Sequence, residues 1–315
     1  MGRGTRNATL DTPASLRGAP ARRIGDWQEL AWPDRGEIRE ADERAPRHIH
    51  SSSPSSQHPD WNEDRALCDT RRGVAVVFDG MGGQAGGERA SEAAIAAAAL
   101  NLPALPGRED LTGRLLWMED TVAFAKALIT DDGILHPHYA NQDATAAAVC
   151  LTDSEEGPVA VTMSAGDSRV YRLRPDGGVQ QLTVDQDYLG KNPADNPQVV
   201  KIRELLDSIS TQEEVDALDP VASLAWHKRH RVTGSVTLNK QPRVDVHSVA
   251  PGDRLLVCSD GVHDNLTRQE IAQIAAQADT PEALVEAVRQ AAEARAASDH
   301  VRAKPDDITV VALAV

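Results

Sequence analysis

Short turns between strand-like segments place the strongest limit on how this chain can fold. Apolar segments at 144–152, 158–165, 168–173 and 178–182 are separated by turn sequences such as DSEEGP, AGD and RPDGG. Connections this short, rich in Gly, Asp and Pro, form hairpins, whereas parallel strands need a crossover of a dozen or more residues. We therefore expect antiparallel sheet.

Helices are predicted on both sides of this strand-rich region. An alanine-rich stretch at 88–100 and an apolar-periodic stretch at 111–129 precede it. Two helix-start signals follow it, at Thr267 with Glu270 and at Thr280-Pro281, and the chain ends in the strand-like ITVVALAV. Because strands and helix pairs come in blocks, the order favours antiparallel sheets packed together with helix pairs outside, an α+β fold.

Bulk composition narrows the choice of ligands. The net charge of −15 disfavours nucleic acid and anionic membrane surfaces, which the chain would repel, and makes metal cations the expected ligands. The three cysteines lie far apart in apolar segments, so we expect buried free thiols of a reducing compartment. No apolar stretch approaches the roughly 18 residues of a membrane span, and no secretory signal is evident. We expect a cytoplasmic protein.

Two segments differ from the folded core in composition. Residues 1–45 are rich in Arg, Asp, Glu, Gly and Pro without sustained periodicity, and we expect a flexible or loosely packed extension. The folded domain is then 46–315. Within it, residues 185–243 are polar and irregular, with a helix expected at 197–208, and this segment is predicted to be an insertion outside the sheets.

Acidic residues cluster where hydrophobic strands end. The five clusters are Asn62-Glu63-Asp64, Asp79-Gly80, Gly166-Asp167-Ser168, Ser259-Asp260-Gly261 with Asp264, and Asp306-Asp307. Carboxylates gathered at one sheet edge would repel one another unless cations lay among them. Oxygen ligands with few His or Cys nearby favour Mg²⁺ or Mn²⁺ over zinc.

These clusters lie in five motifs, NEDR, VVFDGMGGQAGGE, AGDSRVY, LLVCSDGVHD and PDDITVV. In order and spacing they resemble the metal-dependent protein phosphatase family, also called protein phosphatase 2C, in its bacterial form. The similarity runs from about residue 47 to 315. It implies a four-layer α-β-β-α sandwich of two antiparallel sheets flanked by helix pairs. It also implies a signalling hydrolase that removes phosphate from serine or threonine of phosphorylated proteins, opposing a kinase.

The resemblance also assigns roles within a binuclear Mn²⁺ or Mg²⁺ site. Asp79 corresponds to the carboxylate that bridges both metals and Asp64 to the residue that holds metal-bound water. The remaining metal ligands are Gly80 through its carbonyl, Glu63, Asp260 and Asp306, with Asp167 at a weaker third metal in many members. Two metals roughly 3.5–4 Å apart activate a water for in-line attack on phosphorus, so no protein nucleophile is needed.

The sequence departs from the family at the phosphate-binding position. Four residues before Glu63, where the family usually has an arginine, this chain has Pro59. The substrate phosphate would then be bound by His58, Arg65 or Arg47. Met81 stands where many eukaryotic members have a histidine suggested as general acid, which leaves the proton donor unassigned.

Two of these motifs also fit other structures. Gly80-x-Gly82-x-x-Ala85 has the spacing of a dinucleotide-binding loop, but Asp79 would repel a pyrophosphate and no acid follows about 20 residues later. Asp167 could simply close a hairpin by bonding its own backbone. The alternative at the level of function is a catalytically weak or inactive module that keeps the fold and binds phosphoproteins, which Pro59 favours.

Overall fold

The computed structural model describes residues 49–82, 86–190 and 196–315. Eleven strands occur in these ranges, and all pairings between them are antiparallel. The strands are β1 (His50–Ser53), β2 (Asp64–Asp69), β3 (Val74–Met81), β4 (Asp143–Ala144), β5 (Ala146–Ser154), β6 (Gly157–Ala165), β7 (Arg169–Leu173), β8 (Val179–Gln181), β9 (Arg243–Ser248), β10 (Arg254–Cys258) and β11 (Ile308–Ala314).

The strands form two sheets. One has the order β1-β11-β10-β7-β8, and the other has the order β2-β3-β5-β6-β9 with β4 beside β3. The helices are α1 (Gly86–Asn101), α2 (Leu111–Leu135), α3 (Pro197–Ser208), α4 (Gln212–Asp216), α5 (Pro220–His227), α6 (Asp260–His263), α7 (Arg268–Gln277) and α8 (Pro281–Ala296). Helices α1 and α2 pack on the second sheet and α7 and α8 on the first, which confirms the four-layer arrangement.

Side-chain alternation along β3 explains how the layers pack. Val74, Val76 and Phe78 belong to the core shared with α1 and α2, while Ala75 and Val77 belong to the core that joins the two sheets. Successive side chains of a strand point to opposite faces. The next residue on the face toward the other sheet is Asp79, so the end of the interior face is acidic.

Most predicted elements are confirmed. The helix predicted at 197–208 has those bounds, and both C-terminal helices begin after the predicted caps. The antiparallel order excludes the dinucleotide-binding βαβ unit, whose strands are parallel. Helices α4, α5 and α6 were not predicted. The predicted extension at 1–45 lies outside the described residues.

The cysteines are buried and unpaired, as the sequence predicted. All three cysteines are buried and free, and burial raises the pKa of the thiols of Cys68, Cys150 and Cys258 to about 12. None of the helices in the described ranges combines the length and the hydropathy that a bilayer crossing requires.

Candidate metal centre

The candidate site begins with a pair of carboxylates on adjacent strands. Asp64, the first residue of β2, is the cross-strand partner of Asp79 near the end of β3. Partners in an antiparallel pair share one face, so both carboxylates extend from the face that turns toward the other sheet. Like charges placed directly opposite each other destabilise a sheet, which makes this pair costly unless a cation or a proton neutralises it.

Three more carboxylates reach the same end of the sandwich from other elements. Asp260 follows β10 and begins α6, Asp306 precedes β11, and Asp167 lies in the turn between β6 and β7. Burial, followed by the negative charges of Asp64, Asp260, Asp306 and Asp167, holds the pKa of the Asp79 carboxyl well above its ordinary value. The structure therefore brings these five carboxylates, which are distant in sequence, close enough to repel one another.

Two of these carboxylates have an oxygen without a hydrogen-bond partner. Asp64 Oδ2 accepts a 2.6 Å hydrogen bond from Ser259 Oγ, but Asp64 Oδ1 and Asp167 Oδ1 are buried and find no partner among the described residues. Burial, and to a lesser extent the negative charge of Asp307, raises the pKa of Asp64 to about 8. Burial, and to a lesser extent the charge of Asp185, raises the pKa of Asp167 to about 7. Buried, unpartnered carboxylate oxygens of this kind fit a hard divalent cation.

Gly80 lies where two backbone segments meet. Its N–H donates a 3.0 Å hydrogen bond to the carbonyl of Glu63, which places Glu63 beside Asp79. A Cβ at position 80 would lie 2.6 Å from that carbonyl oxygen and closer still to the carbonyl of Gly87 in α1. Only glycine permits this approach, and the contact holds Glu63, Gly80 and the start of α1 together.

A lysine that the sequence analysis did not identify lies inside the cluster. Lys304 Nζ is 2.5 Å from Asp260 Oδ2, 2.8 Å from Asp264 Oδ2 and 2.8 Å from Asp306 Oδ2. Burial would lower the pKa of Lys304, but these three carboxylates raise it well above the ordinary value. The ammonium is therefore charged, and it neutralises part of the cluster.

Asp264 is buried between His230 and Lys304. Its Oδ2 is 2.6 Å from His230 Nδ1 as well as 2.8 Å from Lys304 Nζ. Burial would raise the pKa of Asp264, yet Lys304 and His230 hold it well below the ordinary value. The position of Asp264 four residues after Asp260 was a signal for a shared helical turn, whereas nothing local in the sequence points to His230.

Comparison with known sequences decides the family. The sequence model described as protein phosphatase 2C matches residues 44–304, most of the chain. The chain belongs to the protein phosphatase 2C family. This confirms the resemblance carried by the five motifs.

One relative of this phosphatase 2C chain is a mycobacterial phosphatase. The chain is 28% identical over 254 residues to the serine/threonine protein phosphatase PstP of Mycobacterium tuberculosis (strain CDC 1551 / Oshkosh), across 79% of this chain and 41% of PstP. The chain thus spans about two fifths of the length of the curated relatives it matches.

Solved structures of phosphatase 2C proteins share the fold. The catalytic domain of PstP in complex with two manganese ions has a TM-score of 0.63 and 24% identity, covering 85% of this chain and 98% of that one. The serine/threonine phosphatase of S. agalactiae has a TM-score of 0.62 and 23% identity, covering 86% and 100%. The two-sheet α+β architecture is therefore that of known phosphatases of this family.

The residues that could bind the substrate phosphate in this phosphatase 2C fold differ in how many partners they already have. Arg65 donates to the carbonyls of Asn62 and Asp64 and forms ion pairs with Glu88 and Glu92 on α1. A phosphate would have to displace those carboxylates. Arg47, the third candidate, lies outside the described residues.

His58 has one carboxylate within ion-pair distance, where Arg65 has two. Its ring stacks on Trp61 at 5.1 Å between centroids, and its Nδ1 lies 3.7 Å from Asp307 Oδ1. Burial would lower the pKa of His58, but the Trp61 carbonyl and the charges of Asp307 and Glu63 raise it overall. His58 therefore brings a basic group to the edge of the cluster, one residue from the position where the family usually has an arginine.

Asp307 takes a different role from its neighbour Asp306. Its two oxygens accept 2.6 Å hydrogen bonds from the backbone N–H groups of Ser55 and Glu63, so it ties the segment before β2 to the segment before β11. Three atoms that could bind a metal ion, one each from His58, Glu63 and Asp307, lie within 4.8 Å of one another. Sequence reasoning placed Asp307 in the acidic cluster but did not predict this bracing function.

Proposed function

We propose that this chain is a metal-dependent protein serine/threonine phosphatase that hydrolyses phosphoserine and phosphothreonine side chains. The observation that carries the proposal is the convergence of Asp64, Asp79, Asp167, Asp260 and Asp306 from five places in the chain, with buried carboxylate oxygens left unpartnered. Folding has brought together groups that repel, and this arrangement is costly without a cationic ligand. Membership of the protein phosphatase 2C family supports the same conclusion.

In this proposal each acidic residue has a defined task. Asp79 would bridge two Mn²⁺ or Mg²⁺ ions, with Asp260 and Asp306 completing one site and the Gly80 carbonyl and Glu63 the other. Asp167 and Asp260 would hold a weaker third ion. Bound divalent ions would lower the pKa of a water molecule and offset charge on the phosphoryl oxygens. Asp64 would orient that water through the carboxylate oxygen that Ser259 does not bind.

The substrate phosphate needs a partner in place of the family's arginine. We assign this role to His58 rather than to Arg65, because His58 lies at the edge of the cluster whereas Arg65 already pairs with Glu88 and Glu92. A protonated imidazole beside Glu63 and Asp307 can donate to a phosphate oxygen.

Partners and location follow from the proposed activity. Substrates would be phosphorylated proteins, with a cognate serine/threonine kinase supplying them, and neither nucleic acid nor a membrane would be needed. The segment 185–243, which holds α3 to α5, would contribute to substrate selection. The three buried thiols support a cytoplasmic location for this part of the chain.

One assay tests the proposed activity. The purified chain, freed of metal and resupplied with MnCl₂, is expected to release phosphate from a phosphothreonine peptide, and Asp79→Asn is expected to abolish the release. Asp279→Asn is the matched control, because Asp279 is exposed in the turn between α7 and α8. Its neighbour Ala278 contacts Arg254 at the start of β10, whereas Asp260 follows the other end of that strand. Activity that survives Asp79→Asn would contradict the site assignment.

A second candidate function is phosphoprotein binding without hydrolysis. Pro59 stands where the family usually has an arginine that binds the substrate phosphate. The absence of this arginine favours binding without hydrolysis, because a poorly held phosphate is not positioned for attack. Phosphopeptide binding by both the parent and Asp79→Asn, with no phosphate release by either, would support this alternative.

A further inference from the structure

The ammonium of Lys304 occupies a cation position among the carboxylates of the candidate site. Its Nζ lies 2.5–2.8 Å from one oxygen each of Asp260, Asp264 and Asp306. It donates hydrogen bonds to Asp260 and Asp264 and forms an ion pair with Asp306. A lysine ammonium has three donors and no acceptor, so it can only stabilise acceptors such as these carboxylates.

Two of these three carboxylates are also proposed metal ligands. Asp260 and Asp306 would bind one divalent ion, and the oxygens that face Lys304 are among those available for it. An ammonium and a divalent cation within a few ångströms of each other repel strongly in a partly buried site. The lysine and the metal therefore compete for Asp260 and Asp306.

Asp264 gives the lysine a place to remain when a metal binds. It is not one of the proposed metal ligands, it is buried, and it pairs with His230 as well as with Lys304. The four-carbon stem of lysine is flexible, so the ammonium can release Asp260 and Asp306 and keep its contact with Asp264.

We propose that Lys304 is a built-in counter-cation that holds the candidate metal site together without metal and sets the affinity of the site for divalent ions by competing with them. The inference rests on the proposed metal centre and deepens it. Competition from this side chain raises the concentration of free metal at which the site is half filled.

The test measures metal binding directly in the 315-residue chain. The parent and Lys304→Met are stripped with a chelator, and binding of MnCl₂ alone is measured by isothermal titration calorimetry at low ionic strength. Lys201→Met is the matched control, because Lys201 is an exposed lysine on α3 and its loss makes the same change in net charge. Melting temperatures are recorded with and without Mn²⁺ to separate metal affinity from folding.

The expected result is a dissociation constant for Mn²⁺ at least tenfold lower in Lys304→Met than in the parent, with Lys201→Met unchanged. The metal-free Lys304→Met chain should melt at a lower temperature than the parent, and saturating Mn²⁺ should remove most of that difference. Equal or weaker binding by a folded Lys304→Met chain would overturn the proposal for Lys304 and leave the phosphatase proposal standing. If neither chain bound Mn²⁺, both proposals would be overturned.

Discussion

Asp64 and Asp79 lie opposite each other on adjacent antiparallel strands, on the face that turns toward the other sheet. A hydrophobic pair at this place would extend the interior of the sandwich, as Ala66 and Val77 do one step earlier. Two acids there weaken the metal-free fold. This strain is the structural basis for the expected dependence on divalent cations.

The pair predicts how stability depends on pH without metal. The pKa of Asp64 is raised in the folded state, from 3.8 to about 8, so the folded chain holds its proton more tightly than the unfolded chain does. The contribution of this proton is present below about pH 4 and is lost as pH rises toward 8. Asp64→Asn, which cannot ionise, should therefore gain stability relative to the parent over that interval.

Chemical denaturation in a chelator at several pH values measures the effect. The free energy of unfolding of Asp64→Asn minus that of the parent should rise between pH 4 and pH 8, by at least about 1 kcal/mol, the equivalent of one pKa unit. A difference that is constant or falls with pH would contradict the raised pKa of this carboxyl.

Metal binding should stabilise the fold measurably. A ligand present at 100 times its dissociation constant adds about 2.7 kcal/mol to the free energy of unfolding, which corresponds to a rise in melting temperature of roughly 5–10 °C for a domain of this size. Scanning calorimetry with and without Mn²⁺ tests this. Asp260→Asn should lose most of the rise, and Asp279→Asn should keep it.

Gly80 should tolerate no side chain. Gly80→Ala would place a methyl group 2.6 Å from the carbonyl oxygen of Glu63 and against the backbone of Gly87, and relief of such a clash costs about 1–3 kcal/mol or more. We expect a lower melting temperature and a loss of Mn²⁺ binding. Gly86→Ala is the control, since the nearest atom to its added methyl group, Gln142 Cβ, is 3.5 Å away.

The assignment of the phosphate to His58 predicts a specific kinetic change. Hydrogen bonds to charged groups contribute about 1.5–3 kcal/mol, so His58→Ala should raise KM for a phosphothreonine peptide about tenfold or more. Arg65→Ala, which removes ion pairs to Glu88 and Glu92, should change KM much less. Steady-state kinetics of the two variants distinguish the two assignments. A large rise in KM for Arg65→Ala with little change for His58→Ala would show that Arg65, and not His58, binds the phosphate.

The sequence predicted the elements better than it predicted the site's partners. Local signals in the sequence, namely apolar segments, turn residues and caps, mark strands β3, β9 and β10 and helices α3, α7 and α8. Because these signals do not depend on contacts across the fold, the elements form where they are expected. The acidic motifs at strand ends were equally visible. That these acidic residues meet at one metal site was predicted in part from their positions at strand ends, where gathered carboxylates would need a cation. The resemblance to the phosphatase family supplied the rest of the prediction.

Lys304, His230 and the bracing role of Asp307 were not predicted because each depends on a contact across the fold. Lys304 reaches Asp260 from 44 residues away, and His230 reaches Asp264 across 34 residues. Asp307 binds the backbone of Ser55, 252 residues away. A lysine near an acidic motif or a histidine in a polar segment carries no local sign of such a partner.

The central claim is that Asp79, Asp260 and Asp306 bind divalent cations. Anomalous diffraction from crystals grown with MnCl₂, recorded on both sides of the manganese absorption edge, tests it most directly. The account predicts two manganese peaks within ligand distance of these carboxylates, with Asp79 contacting both. Crystals that diffract well and show no manganese peak at these residues, or show manganese only elsewhere, would contradict it.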